Sequence, residues 1–441
     1  MEQGSIRPHL GALCRIATQP YLGVLPAPPF QNSLHLLYCL CFFLFAAVDT
    51  NNRSITFAMS DPRKYTVGWI CAVQTESVAA GACLDEEHPG PTHIAQHDNN
   101  NYILGSIGHH NVVIAALPDG EYGTGSAAAV ARDMLHSFPN VRIGLMVGIG
   151  GGAPTLENDV RLGDVVVSSG AGGPYGGIVQ YDVDKMIEDG EPAYLNNPPW
   201  ALRTAVSALK GIYERKGHEL AKSAEESLKK IKRREKYIRP PPESDRLYRS
   251  HVVHPFDSAE PCTVVCGHEE AKLVVRKMRD EHDDPKVHYG LIASGNKLIK
   301  DANFRDNLAN SKGVLCFEME ASGLVNHFPC LIIRGICDYS DSHKNKEWQG
   351  FAAMVAAAYA RDLLLRIPPN EVEAERRLAD VASSVDQSLQ VVQHNTNETQ
   401  HSIATITGDI RVQTAERWLG PVDTSTNYNQ AREKSHRITE Q

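Results

Sequence analysis

The chain has 441 residues, of which 42% are hydrophobic and 22% are charged, and its formal net charge is -9 at pH 7. These values are typical of a globular protein with one large or two ordinary domains, and they exclude a chain that is fibrous or disordered throughout. The negative charge argues against nucleic-acid binding as the main activity. Ten cysteines without regular spacing, several of them inside apolar runs, favour a reducing, cytoplasmic location.

Residues 1–58 differ in composition from the rest of the chain. They contain the apolar run LHLLYCLCFFLFAAV at 34–48, which is shorter than the roughly 20 residues that a transmembrane helix requires. The run lies far from the N-terminus and little positive charge precedes it, which disfavours a signal peptide, although secretion or anchoring is the alternative. We predict a poorly ordered, dispensable extension without a membrane partner, and a structured domain that begins near Met59.

Residues 59–368 alternate strand-like and helix-like segments, which predicts an α/β domain with a mixed or mainly parallel central sheet. The strand-like segments are short, β-branched and nearly continuous in apolar residues, as buried strands are. Ligands of such a sheet are expected at the carboxyl ends of its strands. The predicted strands are 65–73, 111–117, 141–150, 164–169, 288–295, 313–319 and 330–338, and the predicted helices are 125–138, 200–216 and 351–367.

A charged insertion at about residues 214–250 interrupts this pattern. We interpret its 218–250 part as a solvated helix followed by an irregular loop. A basic lid over an anionic substrate is the alternative. Zinc sites usually have tighter and more regular ligand pairs than the residues that follow, so we assign no metal site. Those residues are His251, His254, Cys262, Cys266 and His268.

Residues 369–441 are predicted to form a helical tail and a linker. Apolar and threonine side chains recur there with the three-four spacing of a weak heptad stripe. The stripe predicts a helix that packs on the domain or pairs with another chain, and therefore a protein partner. The sequence has no P-loop pattern, so a nucleoside triphosphatase is not predicted. The stripe consists of Leu389, Val392, Thr396, Thr399, Ile403, Ile406 and Ile410.

Acidic residues end two consecutive predicted strands in GVLCFEMEASGLVNHFPCLIIRGICDYSD, residues 313–341. Glu320 follows the first strand and Asp338 ends the second, so both acids face the edge where this fold binds ligands. Two carboxyl groups suit cleavage of a glycosidic bond, because one stabilises an oxocarbenium-like centre while the other donates a proton. Isolated acids can equally serve as caps or solvated groups, and spacing alone does not decide between these functions.

Four blocks in order resemble the nucleoside phosphorylase and nucleosidase superfamily over residues 64–366. They are VGIGGGAP, LGDVVVSSG, FEMEASG and RGICDYSDSHKNKEWQGFAA. The blocks YTVGWICAVQTE, HYGLIASGNKLIKDA and ICDYSDSHKNKEWQGFAA are also similar to the N-terminal domain of fungal NOD-like receptor proteins. The resemblance implies a three-layer α/β/α domain with a twisted mixed sheet, a homo-oligomer, a purine nucleoside or nucleotide substrate, and no cofactor.

In those receptors, a tail that resembles RWLGPVDTSTNYNQAREKSH, residues 417–436, leads into a NACHT nucleotide-binding module. This sequence does not reach such a module. We therefore expect a stand-alone or truncated member.

The resemblance also implies roles for the residues that match the family's motifs. Glu320 should bind the ribose 2' and 3' hydroxyls, Met319 should pack on the sugar, and Asp338 should protonate N7 of a purine. Relatives commonly carry aspartate where this chain has Asn296, which weakens the expected base contact there. The base-contacting segment includes Asn296, Leu298 and Ile299, and the glycines that let backbone amides approach the ligand are Gly148, Gly150, Gly151 and Gly152.

The nucleophile divides the superfamily. Phosphorylases place an arginine in the first strand-to-helix loop to bind phosphate, whereas CAVQTESVAAG has neither arginine nor lysine. Glu76 lies where related nucleosidases carry the glutamate that deprotonates water, although it could instead be an exposed first-turn helix residue. The sequence therefore predicts hydrolysis, with phosphorolysis as the alternative.

Basic residues follow Asp338 closely. His343, Lys344 and Lys346 are candidate contacts for the phosphate of a nucleotide, with a solvated charged loop as the alternative. A third reading of the whole domain is a non-catalytic nucleoside-binding or signalling module related to the fungal receptors, since motif residues alone do not establish turnover.

Overall fold

The computed structural model describes residues 59–170, 176–182, 193–194, 197–258, 260–280, 283–344 and 346–418. The predicted N-terminal extension, with its apolar run, and the predicted linker after Trp418 lie outside the described residues. Within these ranges, none of the helices combines the length and the hydropathy that crossing a membrane requires.

A mixed sheet forms the centre of the described domain. Its eleven described strands have the order β2-β3-β4-β1-β5-β11-β6-β9-β7-β8, and β10 pairs with β5 and β9. The strands are β1 (Val67–Cys71), β2 (Glu86–His88), β3 (Tyr102–Ile107), β4 (His110–Ala116), β5 (Ile143–Gly152), β6 (Val165–Ser168), β7 (Ile178–Gln180), β8 (Ala193–Tyr194), β9 (Val287–Ser294), β10 (Val314–Glu318) and β11 (Cys330–Asp338).

The pairing of the central strands brings several strand ends to one edge. β5 runs parallel to both β1 and β11, so their carboxyl ends lie together. β10 runs antiparallel to the end of β5, where Phe317 pairs with Gly151 and Cys316 pairs with Gly152. The segment that follows β10 therefore begins beside the glycine-rich end of β5.

Helices cover the sheet and connect its strands. They are α1 (Gln74–Cys83), α2 (Thr124–Ser137), α3 (Trp200–Lys216), α4 (Leu220–Leu228), α5 (Cys262–Val265), α6 (Ala302–Lys312), α7 (Ala321–Leu324), α8 (Gln349–Leu364), α9 (Pro369–Ala374) and α10 (Leu378–Trp418).

The most buried of these helices is α8, which packs on β5, β6 and β11 and contacts α1 and α4. Its alanine-rich sequence has high helix propensity and a small cross-section. The helix approaches β11 so closely that a Cβ atom on Gly335 would lie 1.9 Å from the carbonyl oxygen of Ala352. Glycine at this position therefore allows the contact between α8 and the strand that ends in Asp338.

The structure confirms the α/β class, the mixed sheet, all seven predicted strands and all three predicted helices. The strands β2, β3, β7 and β8 were not predicted. The charged insertion differs from the expectation of a solvated helix, because α4 buries Leu220, Ala224 and Ser227 and packs against α1 and α8. These three residues recur at helical spacing, so one face of α4 is apolar enough to pack despite the surrounding charges. The remainder of the insertion is irregular, as predicted.

The predicted helical tail is present as α10. Leu378 is buried and its N–H donates to the carbonyl oxygen of Val141 at 2.8 Å, which anchors the start of the helix to the domain. Farther along, Val392, Ile403 and Ile406 are all more than half exposed. The boundaries at 58/59 and 368/369, and a partner for this helix, stay predictions.

Candidate active site

A cavity of about 570 Å³ lies at the carboxyl ends of β1, β5, β10 and β11. This is the edge at which an α/β sheet of this kind binds ligands. Most of the residues singled out in the sequence line it. They are Glu76, Gly150, Gly151, Asn296, Leu298, Ile299, Met319, Glu320, Asp338, Lys344 and Lys346.

Glu76 lies in the first turn of α1 and is only 3% exposed. The alternative of an exposed first-turn residue is therefore wrong. Its carboxylate accepts hydrogen bonds from the backbone N–H groups of Ala72 at 2.6 Å, Val73 at 3.1 Å and Ile149 at 2.8 Å. Burial raises the pKa of Glu76, and Arg334 and the three N–H donors partly offset this effect. A raised pKa makes this carboxylate a stronger base than an exposed glutamate.

Arg334 is fully buried in the middle of β11 and lies among three carboxyl groups. Its Nη2 atom donates to Glu318 and, at 3.3 Å, to Oε2 of Glu320. Burial acts to lower the pKa of Arg334, but Glu318, Glu320 and Glu76 outweigh burial and raise it. A buried guanidinium of this kind stays charged and holds the surrounding carboxylates in place.

Gly148 provides the space in which Glu76 and Arg334 approach each other. A Cβ atom at this position would lie 2.3 Å from Oε1 of Glu76 and 2.6 Å from Nη1 of Arg334. Any side chain would displace one of the two charged groups. The sequence analysis predicted that this glycine leaves room for the ligand. In the structure, it leaves room for two charged side chains of the protein itself.

Glu318 and Glu320 flank Met319 at the end of β10. The Glu318 carboxylate accepts from the N–H groups of Glu320 at 3.1 Å and Ala321 at 3.0 Å, and so holds the start of α7. Glu320 is buried, and its Oε1 atom accepts from the N–H of Gly123 at 3.4 Å. The pKa of Glu320 is raised to about 7, mainly by burial; Arg334 opposes this shift, and Glu318 and Glu76 contribute to it.

Asp338 lies at the carboxyl end of β11, with its side chain 11% exposed. Nζ of Lys344 donates to both carboxylate oxygens, at 2.8 and 2.9 Å, and the N–H of Ser340 donates to Oδ1 at 2.8 Å. Lys344, a candidate phosphate contact in the sequence, therefore forms an ion pair with the candidate proton donor.

The loop after Asp338 is closely packed on the end of β5. Ser340 is buried and has a positive φ of 53°, which is uncommon for a residue other than glycine. A Cβ atom on Gly151 would lie 2.1 Å from Oγ of Ser340 and 2.7 Å from Oδ1 of Asp338. Glycine at 151 is therefore required for Asp338 to reach its position.

The other end of the cavity is mainly apolar. Leu298 is half-exposed and lines the cavity together with Ile299, Phe317 and the aromatic rings of Tyr122 and Tyr181. A flat, partly apolar ligand such as a nucleobase fits these walls.

Asn296 lies at the edge of this apolar region. Its Oδ1 atom accepts hydrogen bonds from the backbone N–H and from the hydroxyl of Thr124, both at 3.0 Å. The backbone N–H of Asn296 donates to the Asp182 carboxylate at 2.6 Å. The Asn296 side chain therefore ties the start of α2 to the segment after β9, and it stands beside a carboxylate that the sequence analysis did not identify.

Three of the predicted site residues do not line the cavity: Gly148, which is described above, Gly152 and His343. Gly152 faces the core, where a Cβ atom would lie 2.9 Å from the Ile336 side chain. The His343 ring stacks on Tyr248 with a centroid separation of 4.0 Å, and its Nδ1 atom lies 3.4 Å from Oδ1 of Asp341. Their roles in ligand binding stay predictions, as do those of the residues that do line the cavity.

Sequence reasoning missed Arg334, which is buried among the carboxyl groups of the site, and cavity residues that include Glu318 and Tyr122. The first two carry a detectable signal, because each is a charged residue inside or at the end of a continuous apolar run. A charge in a buried strand requires a partner of opposite charge nearby. The runs CLIIRGIC and GVLCFE could therefore have predicted this ion pair. Tyr122 lies in a polar loop and carries no such signal.

No protein-family model matches the chain. Over 330 residues, 74% of this chain, it is 44% identical to a nucleotide-binding leucine-rich repeat (NLR)-like protein of Hyaloscypha variabilis, and it spans 32% of that protein's length. Over 313 residues it is 22% identical to the 5'-methylthioadenosine/S-adenosylhomocysteine nucleosidase of Mycobacterium bovis, covering 69% of this chain and 97% of that enzyme. The resemblance predicted from the sequence, to nucleosidases and to fungal NOD-like receptor proteins, is thereby confirmed.

Solved structures with a similar arrangement include two proteins of Helicobacter pylori. The 5'-methylthioadenosine/S-adenosylhomocysteine nucleosidase is 14% identical, with a TM-score of 0.43, and the match covers 68% of this chain and 98% of that chain. Futalosine hydrolase is also 14% identical, with a TM-score of 0.42, and the match covers 68% of this chain and 97% of that chain.

Proposed function

We propose that the protein cleaves the N-glycosidic bond of purine nucleosides or nucleotides by hydrolysis, releasing the free base and ribose or ribose phosphate. The observation that carries this proposal is the position of Glu76. Its buried carboxylate faces the same cavity as Glu320 and Asp338 and stands beside the guanidinium of Arg334. The relative from Mycobacterium bovis, named as a nucleosidase, supports the same reaction class.

Glu76 acts as the general base in this proposal. It removes a proton from water as the water oxygen attacks C1' of the ribose, and the backbone N–H groups of Ala72, Val73 and Ile149 hold its carboxylate in position. A raised pKa suits this role, because a base works best when its pKa lies near the working pH. Arg334 keeps the carboxylates of the site oriented.

Asp338 acts as the general acid and Glu320 holds the sugar. As the bond between C1' and the base breaks, its electron pair moves onto the purine, and the Asp338 proton neutralises N7. Lys344, which is paired with Asp338 without a ligand, would move aside as the base enters the cavity. The Glu320 carboxylate binds the ribose hydroxyls, and Met319 packs on the sugar ring.

Phosphorolysis is the second candidate, and the surroundings of Glu76 disfavour it. Backbone N–H groups at the start of a helix commonly bind phosphate. Here the Glu76 carboxylate already accepts hydrogen bonds from the N–H groups at the start of α1. A phosphate bound here would find these donors already occupied, and the Glu76 carboxylate would repel it.

A non-catalytic role is the third candidate, and the NLR-like relative is what favours it. Because the chain spans only 32% of that protein, the activity and partners of the whole relative are not transferred. In this reading the cavity binds a nucleoside without turning it over. We also propose that the protein forms a homo-oligomer and that α10 binds a protein partner.

The finer description of the fold is also part of this proposal. We infer the three-layer α/β/α arrangement from two groups of helices. The helices α1, α4 and α8 contact one another, and α2 contacts both α7 and α10. A sheet covered on both faces accounts for the nearly continuous apolar sequences of its central strands.

The test is chromatographic detection of free base after incubation of the full chain with nucleosides and nucleotides. The substrates are adenosine, guanosine, inosine, uridine, 5'-methylthioadenosine, AMP and ATP, each with and without phosphate, and Asp338→Asn and Glu76→Gln are the controls. We expect purine release without phosphate that both substitutions abolish. Release that requires phosphate would establish a phosphorylase, and binding without release would establish the non-catalytic role.

A further inference from the structure

Three side chains outside the catalytic cavity converge in a way that the proposed function does not use. Cys262 begins the short helix α5 and Cys266 follows it one turn later, so the two thiols lie on the same side of that turn. His254 approaches them from the preceding loop. Their Nδ1 and Sγ atoms all lie within 4.8 Å of one another.

The distances match those of a metal-binding group. Nδ1 of His254 lies 3.5 Å from Sγ of Cys262 and 3.4 Å from Sγ of Cys266. With Zn–S bonds of about 2.3 Å and Zn–N bonds of about 2.05 Å, tetrahedral coordination separates sulfur and nitrogen by about 3.6 Å. Both sulfur–nitrogen separations therefore already match those around zinc within about 0.2 Å, and the two sulfur atoms lie within 4.8 Å of each other.

The imidazole of His254 is oriented for coordination. Its Nε2 atom lies 3.2 Å from the carbonyl oxygen of Ser258. A carbonyl oxygen can only accept, so Nε2 carries the hydrogen and Nδ1 presents a lone pair to the two sulfur atoms. A hydrogen bond from the second ring nitrogen to a carbonyl is the arrangement that commonly orients a histidine ligand.

A pair of S–H···N hydrogen bonds accounts less well for the same geometry. One Nδ1 lone pair accepts one hydrogen well, yet both sulfur atoms lie at nearly the same distance from it. A cation shared by the three atoms satisfies all of them together. Both cysteines are free thiols in the structure, so each can supply a thiolate.

We propose that His254, Cys262 and Cys266 bind one zinc ion, with water as the fourth ligand. Two thiolates and an imidazole suit a thiophilic ion with tetrahedral preference. The proposal revises the sequence analysis, in which the spacing of these residues gave no reason to assign a metal site.

The position of the site gives the ion a structural role. The N–H of His254 donates to Oγ of Ser342 at 2.9 Å, and Cys262 lines a small cavity together with Asp338 and Asp341. Zinc would thus fasten the segment around α5 to the loop that follows β11. None of the three proposed ligands lines the cavity that contains Glu76 and Glu320, and zinc binding does not depend on the proposed reaction.

The test measures metal bound to the purified full chain. Protein produced with zinc in the medium is dialysed against metal-free buffer and analysed by mass spectrometry of the elements. We expect about one zinc per chain in the wild type, and at least about a fivefold loss in Cys262→Ser and Cys266→Ser. The matched controls are His251→Ala and His268→Ala, two exposed neighbours that should keep the zinc.

A second measurement on the wild type does not depend on whether the cysteine variants fold. After zinc is replaced by cobalt, thiolate coordination should give sulfur-to-cobalt charge-transfer absorption. Wild-type protein that binds no more zinc than the cysteine variants would overturn the proposal. A disulfide between Cys262 and Cys266, seen as a mass lower by about 2 Da without reductant, would also overturn it. Neither result requires substrate, so the proposed hydrolysis and the zinc site can fail separately.

Discussion

The inner and outer halves of the cavity hold their charges in different ways. In the inner half, the carboxyl groups of Glu318 and Glu320 are buried against Arg334, and Glu76 is buried beside it. In the outer half, Asp338 is paired with Lys344, whose side chain is 21% exposed. Buried charges depend on one another and stay fixed, whereas a partly exposed lysine can leave its partner as a ligand enters. The difference separates the groups that are preorganised from those that can rearrange.

The largest effect is expected from Arg334→Met. Removal of the guanidinium leaves the buried carboxylates around it without their cation, which should cost about 3–5 kcal/mol of unfolding free energy and abolish activity. Urea unfolding checks the first expectation. The matched control is Lys344→Met, which removes the cation of the outer half and should leave the unfolding midpoint nearly unchanged. Equal stability losses in the two variants would remove the distinction between the halves.

Asp338→Asn should lower kcat/KM by about 10²–10⁴-fold, because the variant cannot protonate the leaving base. Its unfolding midpoint should stay close to that of the wild type, since Asp338 lies in the outer half and asparagine has a similar size. Initial rates of base release and thermal unfolding of the same preparation check both parts. A loss of less than tenfold would exclude Asp338 as the proton donor.

Glu76→Gln should lower kcat by about 10²–10³-fold, because the amide cannot accept the water proton. It should also lower the unfolding free energy by about 1–2 kcal/mol, since the amide nitrogen cannot accept from the backbone N–H donors that the carboxylate satisfies. Rates with and without phosphate separate hydrolysis from phosphorolysis. A variant that becomes faster with phosphate would show that Glu76 excludes an anion and does not activate water.

Glu320 should make stability depend on pH. Its pKa is raised from 4.5 to about 7 in the folded protein, so the folded state holds the proton more tightly than the unfolded state. This contribution is complete below about pH 4.5 and is lost as pH rises through about 7, with a magnitude of up to about 3 kcal/mol. The measurement is the difference in unfolding free energy between wild type and Glu320→Gln at pH 5, 6 and 7. A difference that does not change with pH would contradict the burial of a titrating carboxyl group.

The smallest effect is expected at the rim of the outer half. Lys346 is exposed and lines the cavity, where it could contact the phosphate of a nucleotide. Lys346→Ala should raise KM for AMP by up to about tenfold and leave KM for adenosine unchanged. Lys312→Ala, at the exposed end of α6, serves as the control. An equal change for both substrates would exclude a phosphate contact.

The sequence predicted the central strands well and the edges of the sheet poorly. The runs around Val165 and Ile332 are continuous in apolar residues because their strands are buried on both faces. By contrast, β2 reads EEH and is largely exposed, so nothing in its composition distinguishes it from a loop. The packing face of α4 was missed because its three buried residues are surrounded by charged ones.

The same limit applies to the two sites. The positions of Glu320 and Asp338 at strand ends followed from motifs, but the two strands run in opposite directions, and the acids meet because β10 pairs antiparallel with the glycine-rich end of β5 beside β11. Their partners required the three-dimensional arrangement, as Lys344 and Arg334 show. His254 and Cys262 lie eight positions apart in the chain, which is not a usual ligand spacing. Only the folding of the loop brings the imidazole onto the helical turn that carries the thiols.

The contact between Gly151 and Ser340 restricts the order in which this site can change during evolution. A side chain at 151 would collide with the hydroxyl of Ser340 and with the carboxylate of Asp338. A larger residue at 151 therefore requires that the side chains of Ser340 and Asp338 first shift or be replaced, and a shift of Asp338 moves the proposed proton donor. A lineage that acquires a larger residue at 151 has consequently changed the surroundings of Asp338. Residue 151 is thus an informative position when descendants of this protein are compared for retention of the proposed chemistry.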